Sequence, residues 1–214
     1  MVEKELKIIL LGESGVGKSS IILRYYKDKF DPHLPSTFGS TFIKKDLKRN
    51  NITYKLNIWD TTGQEKYHSV TQLFIRDTDI AILVYAIDDV NSFKKLDFWY
   101  KAIIDNCGED FILAIVGNKY DLILLDNENE NENKNKNIVF VPDEEAKKFA
   151  NEKKAMFKLV TAKEDKKGID SLFDELLNDY IAKGIVKTSD NKKENKVKIE
   201  NNGKKNKDQK RGCC

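Results

Sequence analysis

The stretch "LKIILLGESGVGKSS", Leu6–Ser20, decides the fold. A short apolar run, Leu6–Leu11, reads as a buried strand. Gly12, Gly15 and Gly17 then make a tight turn, and Lys18 opens a helix predicted to reach about Tyr26. The turn matches G-x-x-x-x-G-K-[ST] in the strand–turn–helix setting that this pattern requires. Glycines let the backbone N–H groups across Ser14, Gly15, Val16 and Gly17 curl around phosphate oxygens, and the helix N-terminus adds its dipole. Lys18 is expected to reach the β- and γ-phosphates and the Ser19 hydroxyl to ligate Mg²⁺, with Ser20 beside them. The plain alternative is a glycine-rich turn that matches by chance.

Outward from this turn, apolar strands alternate with helix-length amphipathic segments. "TFIKKDL" and "TYKLNIW" alternate with a period of two around Asn50-Asn51, the pattern of an antiparallel hairpin. "DIAILVYAI" and "DFILAIVG" are continuous apolar runs, as strands covered on both faces are. Between them "NSFKKLDFWYKAIIDN" has helical spacing, with Asn91 or Ser92 as the expected cap. "VPDEEAKKFANEKK" reads as a helix opened by Pro142 and an acidic first turn. The strand "MFKLV" and a last helix near Gly168 to Ala182 follow. This alternation predicts an α/β domain with an open, mostly parallel sheet wrapped by helices, over residues 1–182. "DNENENENKNKN", 126–137, is a low-complexity insertion expected to be a surface loop, and 183–214 a basic disordered tail.

A phosphate cradle does not choose a base. "GNKYD", Gly117–Asp121, follows the fifth predicted strand, and in open α/β sheets ligands bind beyond the carboxyl ends of strands. Asp121 can accept from the N1–H and N2 amino groups of guanine, a donor pair that adenine lacks. Asn118 can tie loops together, and Lys119 can cover the base. "VTAK" follows the sixth strand with Thr161, Ala162 and Lys163, where the Ala162 N–H is placed to meet guanine O6.

"GESGVGKS", "WDTTGQE", "GNKYD" and "VTAK", in that order, resemble the small Ras-like GTPases over roughly residues 5–181. The resemblance implies a P-loop NTPase G domain: a six-stranded sheet with one antiparallel strand, about five flanking helices, Mg²⁺, and a GTP/GDP switch. It assigns Thr37 of "PSTFGS" to Mg²⁺ and the γ-phosphate, Asp60 to Mg²⁺ through water, and Phe30 to the guanine face. It gives Lys18, Gly63 and Gln64 the catalytic roles, Gly63 through its N–H to the γ-phosphate and Gln64 by orienting the attacking water. "FGSTF", "KLNIWDTTGQEKY" and "LVYAID" are similar to Rab segments. That likeness makes Phe42, Trp59 and Phe74, with Phe38 after Thr37, an apolar effector surface. "LKIILLGESGVGKSS", "FDPHL" and "SFKKLDFW" lean toward the Rab eighteen branch, while "YHSV" is similar to the endosomal Rab five group. Thr62 stands where most Ras-like proteins carry Ala, which predicts slower hydrolysis; a GTP-binding module with little hydrolysis is the alternative.

The net charge of +3 hides an asymmetry: eleven basic and four acidic residues from Ile181 onward, against 27 and 31 before it. A basic tail suits an anionic surface. "KKNKDQKRGCC" is similar to the Rab site for two geranylgeranyl groups, on Cys213 and Cys214, and stable anchoring takes two signals. The opening residues carry neither a cleavable signal pattern nor, at Val2, the glycine that myristoylation needs. Three cysteines make no disulfide framework, which predicts a cytosolic setting and the cytoplasmic face of an internal membrane: endoplasmic reticulum, Golgi, lipid droplet or endosome. The expected partners are an exchange factor, a GTPase-activating protein, a GDP-dissociation inhibitor or escort protein, and effectors. The chain is expected to be a monomer that binds no nucleic acid.

Overall fold

A computed structural model describes residues 2–37, 40–63, 73–128 and 139–184, with 125–128 as backbone alone. The elements run β1 (Val2–Leu11), α1 (Lys18–Lys27), β2 (Ser40–Arg49), β3 (Ile52–Thr61), β4 (Ile80–Ala86), α2 (Val90–Lys94), α3 (Leu96–Cys107), β5 (Ile112–Asn118), α4 (Asp121–Glu128), α5 (Asp143–Glu152), β6 (Met156–Leu159) and α6 (Lys166–Lys183). The six strands form one sheet in the order β2-β3-β1-β4-β5-β6. Only the β2–β3 pair is antiparallel.

The residue pattern explains this order. β4 and β5 are buried at all seven positions, as interior parallel strands must be. β2 lies at the edge with no fully buried residue, and its lysines keep the open edge wet. The β2–β3 turn puts Asn50 and Asn51 both at positive φ, 51° and 62°, the pair of left-handed residues that a tight two-residue hairpin demands.

Alternate residues of β1 feed two cores. Ile9 and Leu11 join Leu83, Ile115, Trp99 and Ile103 of α3, and Ala146 and Ala150 of α5. Leu6, Ile8 and Leu10 are equally buried and point the other way. There α6 buries Ile169, Leu172, Phe173, Leu176 and Leu177, and Phe173 stacks on Tyr25 of α1 with centroids 3.8 Å apart. Each such aliphatic side chain contributes about 1.5–3 kcal/mol.

Three sequence expectations need correction. The helix cap before α2 is Asp89, whose carboxylate accepts from Asn91 N at 3.0 Å and Ser92 N at 3.1 Å. Ser92 is engaged elsewhere: its buried hydroxyl accepts from Ala86 N and donates to Asp89 O, closing the end of β4. The helix predicted as one piece breaks at Lys95 into α2 and α3, and the residue types there do not explain the break. A further helix, α4, begins at the last residue of "GNKYD" and carries the first three residues of the low-complexity segment. Its continuous apolar run, Leu122–Leu125, hides the helical period. The rest of that segment lies outside the described residues.

Candidate nucleotide site

The carboxyl ends of β1, β3, β4 and β5 lie side by side. Ile9 pairs with Trp59 and Leu10 with Asp60, while Ala86 pairs with Asn118. A cavity of about 370 Å³ opens over these ends. It is lined at one end by Ser14, Gly15, Gly17, Lys18, Ser19, Ser20, Thr37 and Gly63, and at the other by Phe30, Asn118, Lys119, Asp121, Thr161, Ala162 and Lys163. Fifteen residues singled out from four distant motifs, with Phe30 and Thr37 between them, therefore share one cavity. Val16 is buried behind it, and Asp60 lies beneath Ser19. Gln64 and Phe38 lie outside the described residues, as do Cys213 and Cys214.

The phosphate end begins with α1, whose N-cap is Gly17 in the left-handed region, φ 94°. No side chain caps this helix and no acidic residue sits in its first turn, so its positive end faces the cavity uncontested. Lys18 is buried and donates to Gly12 O at 2.8 Å and Glu13 O at 2.9 Å. Burial pushes its ammonium down to about 8, partly offset by the charges of Asp60 and Glu13. A phosphate at the helix terminus would give this desolvated cation a direct anionic partner.

Beside Lys18 three oxygens crowd together. Ser19 Oγ lies 2.7 Å from Thr37 Oγ1 and 2.5 Å from Asp60 Oδ2, and Thr37 Oγ1 lies 3.3 Å from the same carboxylate oxygen. Two hydroxyl protons cannot serve three such contacts. The other carboxylate oxygen, Asp60 Oδ1, is buried without a hydrogen-bond partner. Burial raises the carboxyl's pKa, against the opposing pull of Ser19, Lys18 and Thr37. A hard divalent cation suits such a cluster, and Mg²⁺ characteristically takes one or two carboxylates, waters and substrate phosphates.

Gly63 packs its backbone on the cradle. A Cβ there would stand 2.3 Å from Glu13 C and Ser14 N, so no other residue fits this approach. Its neighbours Thr61 and Thr62 are both buried, and Thr61 donates to Leu10 O at 2.6 Å.

The base end is cross-tied. Asn118 Nδ2 donates to Val16 O at 2.8 Å, and Asn118 Oδ1 accepts from Ala162 N at 3.2 Å. One amide thus joins the cradle to both base-reading loops. Gly17 permits this, because a Cβ there would lie 2.2 Å from Asn118 Nδ2. Thr161 donates to Asp121 Oδ1 at 2.5 Å, which leaves Oδ2 facing Lys163 at 3.8 Å. Lys119, at φ 69°, pairs with Asp88 at 3.3 Å. The Ala162 N–H expected to meet a guanine O6 is shared with Asn118 in this arrangement.

Three contacts escaped the sequence. Arg24 of α1 reaches the carbonyls of Ala162 and Lys163. Glu13, inside the cradle, accepts from the Trp99 indole at 3.1 Å. Asp88 holds Lys119. Only the last had a legible signal, a carboxylate two residues past the end of the strand that pairs with the one before "GNKYD".

Phe42, Trp59 and Phe74 form a continuous stripe, with centroids 5.2 Å apart for the first pair and 5.5 Å for the second. Phe42 is 45% exposed, the other two partly buried.

Comparison with known proteins agrees with this geometry. A profile described as Ras family matches residues 7–182. The chain is 42% identical to Ras-related protein Rab-31 of Rattus norvegicus over 122 residues, 57% of this chain and 63% of that protein, so it spans less than two thirds of this relative. It is 36% identical to Ras-related protein Rab-11B of Dictyostelium discoideum over 208 residues, 97% of this chain and 86% of that one. To Ras-related protein RabC of the same organism it is 36% identical across the full length of both. The chain belongs to the Ras family and, within it, to the Rab small GTPases.

Proposed function

We propose that this protein binds GTP and hydrolyses it to GDP, and that the two nucleotides set two states of a switch in membrane trafficking. The observation that carries this reading is the Asn118 cross-tie, which joins the phosphate cradle at Val16 to the loop of Thr161 and Ala162, where the Thr161 hydroxyl holds the guanine-type carboxylate of Asp121. Ser19, Thr37 and Asp60 would hold Mg²⁺, which when bound would neutralise charge developing on the phosphates. Lys18 would exchange the carbonyls of Gly12 and Glu13 for phosphate, and Gly63 would offer its N–H to the terminal one. Gln64, from its place in the motif, would orient the water. Intrinsic turnover is slow in this reading, and a GTPase-activating protein supplies the missing cation.

In the same proposal the chain is a monomer, and the Phe42–Trp59–Phe74 stripe, with Phe38, receives effectors in the GTP state. Exchange factor, GDP-dissociation inhibitor and escort protein act on the same switch. Prenylated Cys213 and Cys214, after a strongly basic run, hold the protein on the cytoplasmic face of an internal membrane. Chromatography of the nucleotide released on denaturing the purified protein, with a GTP hydrolysis time course, tests the core of this. Guanine nucleotide and GDP formation are expected; ATP or ADP in its place overturns it.

A second reading has its own observation. Thr62 is 2% exposed directly before the Gly63 backbone that packs on Glu13. A β-branched side chain there stiffens the hinge that Gly63 needs. Thr62→Ala is expected to raise the single-turnover hydrolysis rate about tenfold, a change of about 1.4 kcal/mol in the barrier. Equal rates would remove Thr62 from the kinetics.

A further inference from the structure

Arg24 projects from α1 with only 13% of its side chain exposed, and its guanidinium is fully engaged in bridging. Nε donates to Ala162 O at 2.8 Å and Nη2 to Lys163 O at 2.5 Å. Nη1 donates to Asp28 Oδ1 at 2.9 Å and reaches Asp28 O at 3.3 Å. Asp28 is the C-cap of α1, in the left-handed region at φ 52°, and Phe30, two residues on, lines the base end of the cavity.

The loop 161–163 is thus gripped from two sides. From the sheet, Asn118 Oδ1 takes the Ala162 N–H, and Asp121 takes the Thr161 hydroxyl, which itself accepts from Lys163 N. From α1, Arg24 takes the next two carbonyls. The N–H and the carbonyl of Ala162 belong to consecutive peptide planes, so the two grips together set the direction of the N–H that a guanine would meet. A guanidinium presents donors in a rigid planar fork, which an ammonium cannot reproduce on two carbonyls at once. The same fork fixes the chain leading to Phe30.

We propose that Arg24 is a positioning residue for guanine recognition, fastening the Ala162–Lys163 loop and the Asp28–Phe30 turn to each other across the base end of the cavity. This rests on the guanine reading above. The Arg24–Asp28 ion pair, whose carboxylate is largely exposed, contributes little by itself; the two carbonyl contacts carry the effect.

The test uses the full chain loaded with GDP, measuring its release rate and the equilibrium preference for GDP over ADP. Arg24→Ala is expected to speed GDP release about 10- to 100-fold, the loss of charge-assisted hydrogen bonds. The GDP-over-ADP preference should fall by a similar factor. ADP affinity, set by the phosphate cradle, should stay within about twofold of wild type, the change expected when contacts to the bound molecule are untouched. Arg24→Lys should fall between the two, and it carries the test alone if the alanine variant does not fold. Wild-type release and preference in Arg24→Lys and Arg24→Ala would overturn the proposal. So would equal loss of GDP and ADP affinity, which marks a general loosening of α1. A wild-type protein without preference for GDP over ADP would overturn the guanine reading itself, and the clamp with it.

Discussion

The two ends of the cavity satisfy their polar groups in opposite ways. At the base end most groups are paired with another in the protein: Asn118 with Val16 and Ala162, Thr161 with Asp121, Arg24 with two carbonyls. Asp88 Oδ1 is buried there without a hydrogen bond, but the Lys119 ammonium stands 3.3 Å from it. At the phosphate end the pairing is defective. Three oxygens share two protons, Asp60 Oδ1 has no partner, and the Lys18 ammonium sits buried against neutral carbonyls. Networks that are complete rigidify, and incomplete ones are costly until something fills them. On the proposed function, the difference makes the base end a fixed gauge and the phosphate end a place where energy would be released by a phosphate and a cation. A switch needs both: a ligand moves an equilibrium only by the difference in its contacts with the two states.

The largest effect that would break this comparison is expected at Lys18. Lys18→Ala should weaken GDP and GTP binding by about 2–5 kcal/mol, as truncating one partner of a buried charge pair does. The nucleotide-free protein should keep its stability within about 1 kcal/mol, because the lost bonds to Gly12 and Glu13 are offset by relief of a desolvated amine. Isothermal titration and thermal melting of the stripped protein give the two numbers. A large loss of stability without nucleotide would show that the cation is a structural brace.

Asn118→Ala should behave in the reverse sense. It strands two buried groups, Val16 O and Ala162 N–H, at a cost of about 1–3 kcal/mol each. Melting of the nucleotide-free protein should drop by about 2–4 °C for each kcal/mol in a chain of this size. If only affinity falls and the melting temperature holds, the base end is not a preformed gauge.

What was legible in the sequence follows from the same contrast. The cradle and "GNKYD" are visible because backbone geometry dictates residue type: a side chain at Gly17 would collide with Asn118, and one at Gly63 with Glu13. The sheet was visible because β4 and β5 are apolar throughout and β2 alternates. Arg24 was not, because its partners are carbonyls of residues 138 and 139 positions away, and a carbonyl has no signature in the sequence. On an amphipathic helix an arginine reads as solvent-facing. Asp89 was missed as a cap because Asp89, Asn91 and Ser92 can all serve, and only the strand end decides which is free to do so.

The smallest expected effect concerns the anchor of the cradle to α3. Glu13 gives its carbonyl to Lys18, its peptide to the Gly63 contact and its carboxylate to Trp99 of α3. The indole bond is one contact to a charged acceptor, and Glu13→Gln keeps an acceptor while removing the charge. Glu13→Gln should therefore release GDP within about twofold of wild type, and Glu13→Ala about 5- to 10-fold faster, the equivalent of about 1–1.4 kcal/mol. The chain has two tryptophans, so in a Trp59→Phe background the emission of Trp99 reports the same bond. Its spectrum should shift in Glu13→Ala and hold in Glu13→Gln. If both variants release GDP faster than wild type by the same factor, the charge of Glu13 beside Lys18 matters and the anchor to α3 does not. The cradle would then be held by its own backbone, and the phosphate end would respond to its ligand without help from α3.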